Sequence, residues 1–290
     1  MDEFAAIMAA RKLVKELNRA KIPVEVEAYA EHVGATLRQQ LDLELDEPGF
    51  SFENKGKHFI CVNANDSPER QRFTACHELG HIVLKLPSEH QAMPWWSYAK
   101  RSPNEIFCDI FAAELLLPYT LFKPIADKVT IGFASLDELA SQFSTSRAVT
   151  GSRYASTLSA PCAFVLSEQG QIKYASRSPV LRDSKAWISP RTVLPRGSAS
   201  EAARSGTKCE GPTEISADAW FSDWDHGGVL LEEAKHSERW DQTLTLLWFE
   251  NGEIPSASNG ARGNNEEREE DGLLEELDGN LRWPGKHRRR

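Results

Sequence analysis

Residues 73–86, FTACHELGHIVLKL, set two histidines four apart around a glutamate inside a run that is otherwise apolar. Phe73, Leu79, Ile82 and Val83 ask for burial on the flanks of this segment, yet imidazole and carboxylate groups are expensive to bury unless something pairs with them. In a helix, residues four apart lie about 40° apart around the axis. His77 and His81 therefore point their rings the same way and can share one cation. Glu78 lies one position further round, in reach of a water on that cation without being a ligand itself, which is the slot of a general base. A catalytic zinc usually takes three protein ligands and keeps its fourth position for water. Any fold for this chain must bury a helix here and bring a further ligand to it.

A second helix offers that ligand. Pro103 and Pro118 bracket NEIFCDIFAAELLL, where Glu105 and Asp109 stand four apart on one face. The arrangement resembles the gluzincin pattern N-E-x-x-x-D, in which the Glu is the third ligand and the Asp orients a ligating histidine. By that resemblance Asp109 accepts the free ring N–H of a histidine, His77, and fixes its tautomer. Glu114, nine residues beyond Glu105 on a different helical face, reads as solvated.

Around these helices the periodicities change. Residues 3–17 have apolar spacing of a helix, and a second helix opens at Pro23 and stops near Val33, before Gly34. Phe50, Phe52, Phe59 and Cys61 alternate about the turn signal at 54–56, a hairpin pattern. Ser67 is the N-cap of the motif helix and Pro68 its first residue. Residues 88–103 read as a loop. SLDELASQFSTSRAVTGSRYA gives two short helices in helix-turn-helix outline, with Arg147 and Arg153 on the second. Two arginines are a weak footprint for nucleic acid, so a packing pair is the reading. From 162 onward the signals turn to strands, with a hairpin about Gly170 and two longer strands in GGVLLEEAKHSERWDQTLTLLWF. The expected class is α+β: a zincin-like metallopeptidase domain with a small antiparallel sheet and active-site helices (1–125), a helix-turn-helix-like segment (126–160), a β-rich region of unknown role (161–250) and a disordered charged tail (251–290).

Composition narrows the function classes. A net charge of −9 argues against nucleic acid as the primary ligand. No apolar run reaches the roughly 18 residues that cross a bilayer, and the acidic pair Asp2-Glu3 stands where a signal peptide needs positive charge. The protein is expected in the cytoplasm. Five scattered cysteines, at 61, 76, 108, 162 and 209, form no disulfide framework and no CxxC pair, so Cys76 and Cys108 beside the motifs read as small packing residues.

RQRFTACHELGHIVL followed by NEIFCDIFAAELLLP resembles the ImmA/IrrE family of metallopeptidases, over residues 22 to 160 or so. The resemblance implies a zinc-dependent endopeptidase that cuts a helix-turn-helix repressor and so relieves repression under stress, with His77, His81 and Glu105 as metal ligands and Glu78 as catalytic base. Asp109 stands where that family often has Asn, which keeps an acceptor. Residues 162–290 carry no motif that the resemblance explains. The rival class is a DNA-binding or sensor protein with a structural metal site, but such a site is closed by four protein ligands and is richer in Cys. A second electrophile for the developing oxyanion is left open among His90, Tyr98 and Arg101.

Overall fold

The computed structural model describes residues 2–17, 21–44, 47–87, 102–207, 211–250 and 252–255. These residues group into two compact units that meet in sequence at Pro118 and Tyr119. The loop candidates His90, Tyr98 and Arg101 lie outside the described residues, as does the expected tail apart from 252–255.

The first unit opens with α1 (Glu3–Leu17) and α2 (Val26–His32). α2 starts three residues after Pro23, behind an extended N-cap at Glu25 (φ −86°, ψ 94°), and the Val24 carbonyl accepts from the Arg72 guanidinium at 2.9 Å. Gly34, at φ +77, closes it as its sequence position suggests. Three strands follow: β1 (Ala35–Gln40), β2 (Gly49–Asn54) and β3 (Lys57–Asn63). The hairpin β2–β3 forms as expected, Phe52 facing Phe59 across it. The sheet, however, is mixed rather than antiparallel, because β1 adds to the other side of β3 in parallel. Its sequence, ATLRQQ, is two-thirds polar and carries little strand signal, and its partner is the second strand of the hairpin, with β2 between them in sequence.

α3 (Pro68–Leu84) and α4 (Pro103–Leu116) complete the unit. Ser67 caps α3 by accepting from the Arg70 amide at 3.3 Å, and Lys85 ends it in the left-handed conformation. Ile60, Leu79, Phe111 and Leu115 are fully buried. Glu114 is not solvated: it is fully buried, and its Oε1 accepts from Arg11 Nε of α1 at 2.9 Å. The face of α4 that the spacing assigns to water is covered by α1.

The second unit begins with α5 (Tyr119–Ala126), α6 (Phe133–Phe143) and α7 (Arg147–Thr157). α6 and α7 are the two short helices of the sequence pattern, joined through left-handed Ser144 and capped by Ser146, whose hydroxyl accepts from the Val149 amide at 3.3 Å. β4 (Cys162–Glu168) and β5 (Gln171–Arg177) make the hairpin about Gly170. After α8 (Pro179–Asp183) and α9 (Ala199–Arg204) come β6 (Thr213–Ser216), β7 (Val229–Ser237) and β8 (Gln242–Trp248). They form one antiparallel sheet in the order β5-β4-β8-β7-β6. Val165, Ile172, Leu181, Trp220, Phe221 and Leu247 are among the residues of its core. The sheet also holds the helices: Glu233 accepts from the Phe133 amide at the start of α6 at 2.7 Å, and Lys235 donates to Asp137 at 2.7 Å.

Candidate metal centre

The platform is α3. His77, Glu78 and His81 are all buried, with 7%, 3% and 4% of their surface exposed. Burying ionisable groups on one helix costs several kcal/mol per ion after relaxation unless partners repay it. Two glycines bring those partners near. At Gly80 a Cβ would lie 3.2 Å from Cys108 Cα of α4, so the absence of a side chain lets the two helices approach. At Gly49 a Cβ would lie 2.7 Å from Thr74 Cγ2 of α3, so strand β2 can lie directly against the helix, and 2.4 Å from the Cys61 carbonyl oxygen of the neighbouring strand β3.

From α4, Glu105 and Asp109 reach the rings. His77 Nδ1 donates to Asp109 Oδ1 at 2.8 Å, and His81 Nδ1 donates to the Leu86 carbonyl at 3.3 Å. An imidazole that donates from Nδ1 presents a lone pair at Nε2 when neutral. The two Nε2 atoms face each other at 3.1 Å. Glu105 completes the cluster, with Oε2 at 3.0 Å from His77 Nε2 and Oε1 at 3.4 Å from His81 Nε2.

Three sets of lone pairs thus converge, and a single proton can satisfy one pair of them at a time. Burial pulls the His77 imidazole towards neutrality, but hydrogen bonds to Asp109 and Glu105 and the charge of Glu78 outweigh it and raise its pKa to about 10. Burial likewise pushes the Glu105 carboxyl up, and its hydrogen bonds and charge contacts with His77 and His81 pull it well below the usual carboxylate range. The cluster demands positive charge at its centre. A divalent cation meets that demand at all three groups, and two imidazoles with one carboxylate are a donor set of the kind zinc takes.

Glu78 sits beside this centre. Ligand atoms of His77, Glu78 and His81 lie within 4.8 Å of one another, which makes Glu78 a rival for the third ligand position. Glu105 is the better candidate, because its two oxygens already meet both Nε2 atoms, whereas Glu78 Oε2 accepts from the Ser51 hydroxyl of β2 at 2.6 Å. The five sequence candidates, His77, Glu78, His81, Glu105 and Asp109, are therefore brought together. Ser51 and the Leu86 carbonyl were not anticipated. The alternation Phe50-Ser51-Phe52 already turned Ser51 to the face opposite the phenylalanines, which is the one signal that could have found it.

The arginines of the helix-turn-helix outline are engaged. Arg147 is paired with Asp137, and the Arg153 guanidinium lies 5.9 Å from the centroid of the Tyr119 ring. No described helix is long and apolar enough to cross a membrane.

Residues 30–154, from α2 to within α7, match the model of the Peptidase_M78 family, the IrrE N-terminal-like domain. The ImmA/IrrE resemblance seen in the motifs holds over that stretch. A search of the curated proteins gives no match. Among solved structures the chain is similar to a Mycobacterium tuberculosis transcriptional regulator, at 12% identity and a TM-score of 0.56, with 86% of this chain and 76% of that chain covered. At that identity the likeness speaks for the fold alone.

Proposed function

We propose, from a chain whose residues 30–154 carry an IrrE N-terminal-like peptidase domain, that this protein is a cytoplasmic zinc-dependent endopeptidase. Its substrate in this reading is a regulatory protein, a helix-turn-helix transcriptional repressor, and cleavage relieves repression. The observation that carries the reading is the meeting of His77 Nε2, His81 Nε2 and the Glu105 carboxylate within 3.0 to 3.4 Å, with both Nδ1 atoms engaged elsewhere. These three residues hold the metal, and Asp109 fixes the tautomer of His77 and raises its basicity.

Zinc, when bound, polarises the scissile carbonyl and makes a bound water more acidic. Glu78 takes the proton of the attacking water on a carboxylate oxygen and delivers it to the nitrogen of the leaving amine. Three protein ligands leave a coordination position open, whereas a structural site is closed by four. That difference, with Glu78 set beside the ligands, favours an enzyme over a DNA-binding or sensor protein built around a structural metal. Nucleic acid is further disfavoured by the engagement of Arg147 and Arg153. Hydrolysis falls to residues 1–125 in this scheme.

The test pairs metal analysis with proteolysis. Purified protein is expected to hold one zinc per chain and to cut a helix-turn-helix repressor at a defined bond, read by mass spectrometry. Glu78→Gln should keep the zinc and lose turnover by more than the roughly 10²- to 10⁴-fold of acid–base catalysis alone, since water orientation goes too. Undiminished cleavage by zinc-loaded Glu78→Gln would refute the mechanism.

A further inference from the structure

We infer that Ser51 is a positioning residue for Glu78: its hydroxyl anchors one carboxylate oxygen and leaves the other to move the proton. The inference rests on the reading of Glu78 as the base. Among the described residues, Ser51 is the side-chain hydrogen-bond partner of the Glu78 carboxylate, at 2.6 Å to Oε2. That length belongs to the charge-assisted class, O–H donating to an anion. Ser51 stands opposite Ile60 of β3, on the strand face turned to α3, while Phe50 and Phe52 occupy the other face and Phe52 stacks on Phe59 at 5.2 Å. Register fixes which way Ser51 points. The close approach at Gly49 fixes how near it comes.

The bond suits both protonation states of the base. While Glu78 is ionised, Oε2 accepts from Ser51 and Oε1 is available to the water. Once Oε1 carries the proton, Oε2 is a carbonyl oxygen and still accepts the same hydroxyl. The carboxyl group can take up and release its proton without rotating, so no reorganisation accompanies the transfer. With no hydroxyl at position 51, both oxygens of a side chain that is 3% exposed compete for the same water, and the group can swing about its terminal torsion.

Threonine and valine separate hydroxyl from shape, being isosteric and both suited to a strand. Ser51→Thr, Ser51→Val and Ser51→Ala are measured for zinc content, for kcat and KM on a fluorescence-quenched peptide spanning the cleaved bond, and by crystallography. All three should bind one zinc. Ser51→Thr should stay within about threefold of wild-type kcat, while Ser51→Val and Ser51→Ala should lose roughly 10- to 100-fold in kcat with KM nearly unchanged, the scale of a misplaced catalytic group. In the valine structure the Glu78 carboxyl should occupy a new orientation or several. Equal loss in Thr and Val, wild-type kcat in Val or Ala, or a rise in KM alone overturns the inference. If valine prevents folding, alanine decides in its place. If wild-type protein cleaves nothing, the reading of Glu78 as base fails, and the crystallographic arm still judges Ser51: a Glu78 carboxyl unmoved in Ser51→Val or Ser51→Ala refutes the anchoring.

Discussion

A methyl group at Gly80 should loosen the metal site more than it destabilises the fold. The added carbon of Gly80→Ala would lie 3.2 Å from Cys108 Cα and 3.3 Å from both Cys108 Cβ and Phe111 Cδ1. Carbon–carbon contacts are most favourable at about 3.5 to 4.0 Å, so α4 must give way to α3 by a few tenths of an ångström. Glu105 lies on α4 one turn before Cys108 and travels with it. Metal–ligand distances tolerate about 0.2 Å. The retreat therefore exceeds what the third ligand can absorb, and zinc affinity should fall about 10- to 100-fold, the range seen when support of a ligand is disturbed. Stability responds less. Overpacking costs roughly 1 to 3 kcal/mol, and up to about 1 kcal/mol returns because alanine favours a helix over glycine. Competition against a chromophoric chelator measures the first quantity, and calorimetry of metal-free protein the second. Gly80→Val should be worse on both. Wild-type zinc affinity in a folded Gly80→Ala protein would refute the claim that this helix crossing sets the ligand geometry.

Metal analysis should rank the ligand variants: Glu105→Ala or His81→Ala loses zinc strongly, and Asp109→Ala weakens it by about 10- to 100-fold, as removal of a ligand's hydrogen-bond partner does; full zinc occupancy at limiting metal in Glu105→Ala would exclude Glu105 as a ligand. Arg11→Ala removes a partner of fully buried Glu114, and because Arg11 is itself part exposed the cost should be roughly 1 to 3 kcal/mol, below the 3 to 5 of a wholly buried pair; chemical denaturation with no shift of midpoint would contradict this. Burial pushes the Asp137 carboxyl up, but hydrogen bonds and charge from Arg147 and Lys235 outweigh it and hold it below its ordinary value. Its folded pKa is depressed, so its contribution is complete above the ordinary carboxylate pKa of about 3.9 and is lost as pH falls through the folded value. The stability gap between wild type and Asp137→Asn should shrink in that acid window, and a gap constant with pH would exclude the linkage.

What the sequence made legible was whatever depends on a local period. His77, Glu78 and His81 occupy one side of a helix because of helical spacing, and a charged trio in an apolar run has few reasons to exist besides a shared cation. Glu105 and Asp109 follow the same rule, and the hairpin about Gly170 follows the period of two. The misreadings concern surfaces that other elements cover. Glu114 looked solvated by its angle from Glu105, although the run IFAAELLL around it is apolar on every side, the mark of a helix buried all round; α1, a hundred residues earlier in the chain, supplies cover there through Arg11. β1 was missed because its pairing with β3 in parallel is decided by register and not by its own mostly polar pattern.

Ser51 lies between these cases. Alternation gave its face, but nothing local could say that Glu78 would be waiting there, since that depends on the closeness of β2 to α3 at Gly49. Both partners of the close approaches, Gly49 and Gly80, were visible as letters. A glycine announces that backbone could come near something, and the identity of that something is a property of the packed unit. The ligands of the centre were therefore legible from α3 and α4 taken singly, while the distances that let the ligands and the base act together depend on two missing side chains, at Gly80 for the ligands and at Gly49 for the base. If that division is right, substitutions at Gly49 and Gly80 should impair different functions: Gly49→Ala should disturb the Ser51–Glu78 contact and so lower kcat with zinc retained, whereas Gly80→Ala should lower zinc affinity first. Finding zinc affinity lost equally in both variants would mean that strand and helix are not separable supports, and that the site responds to packing of the unit as a whole.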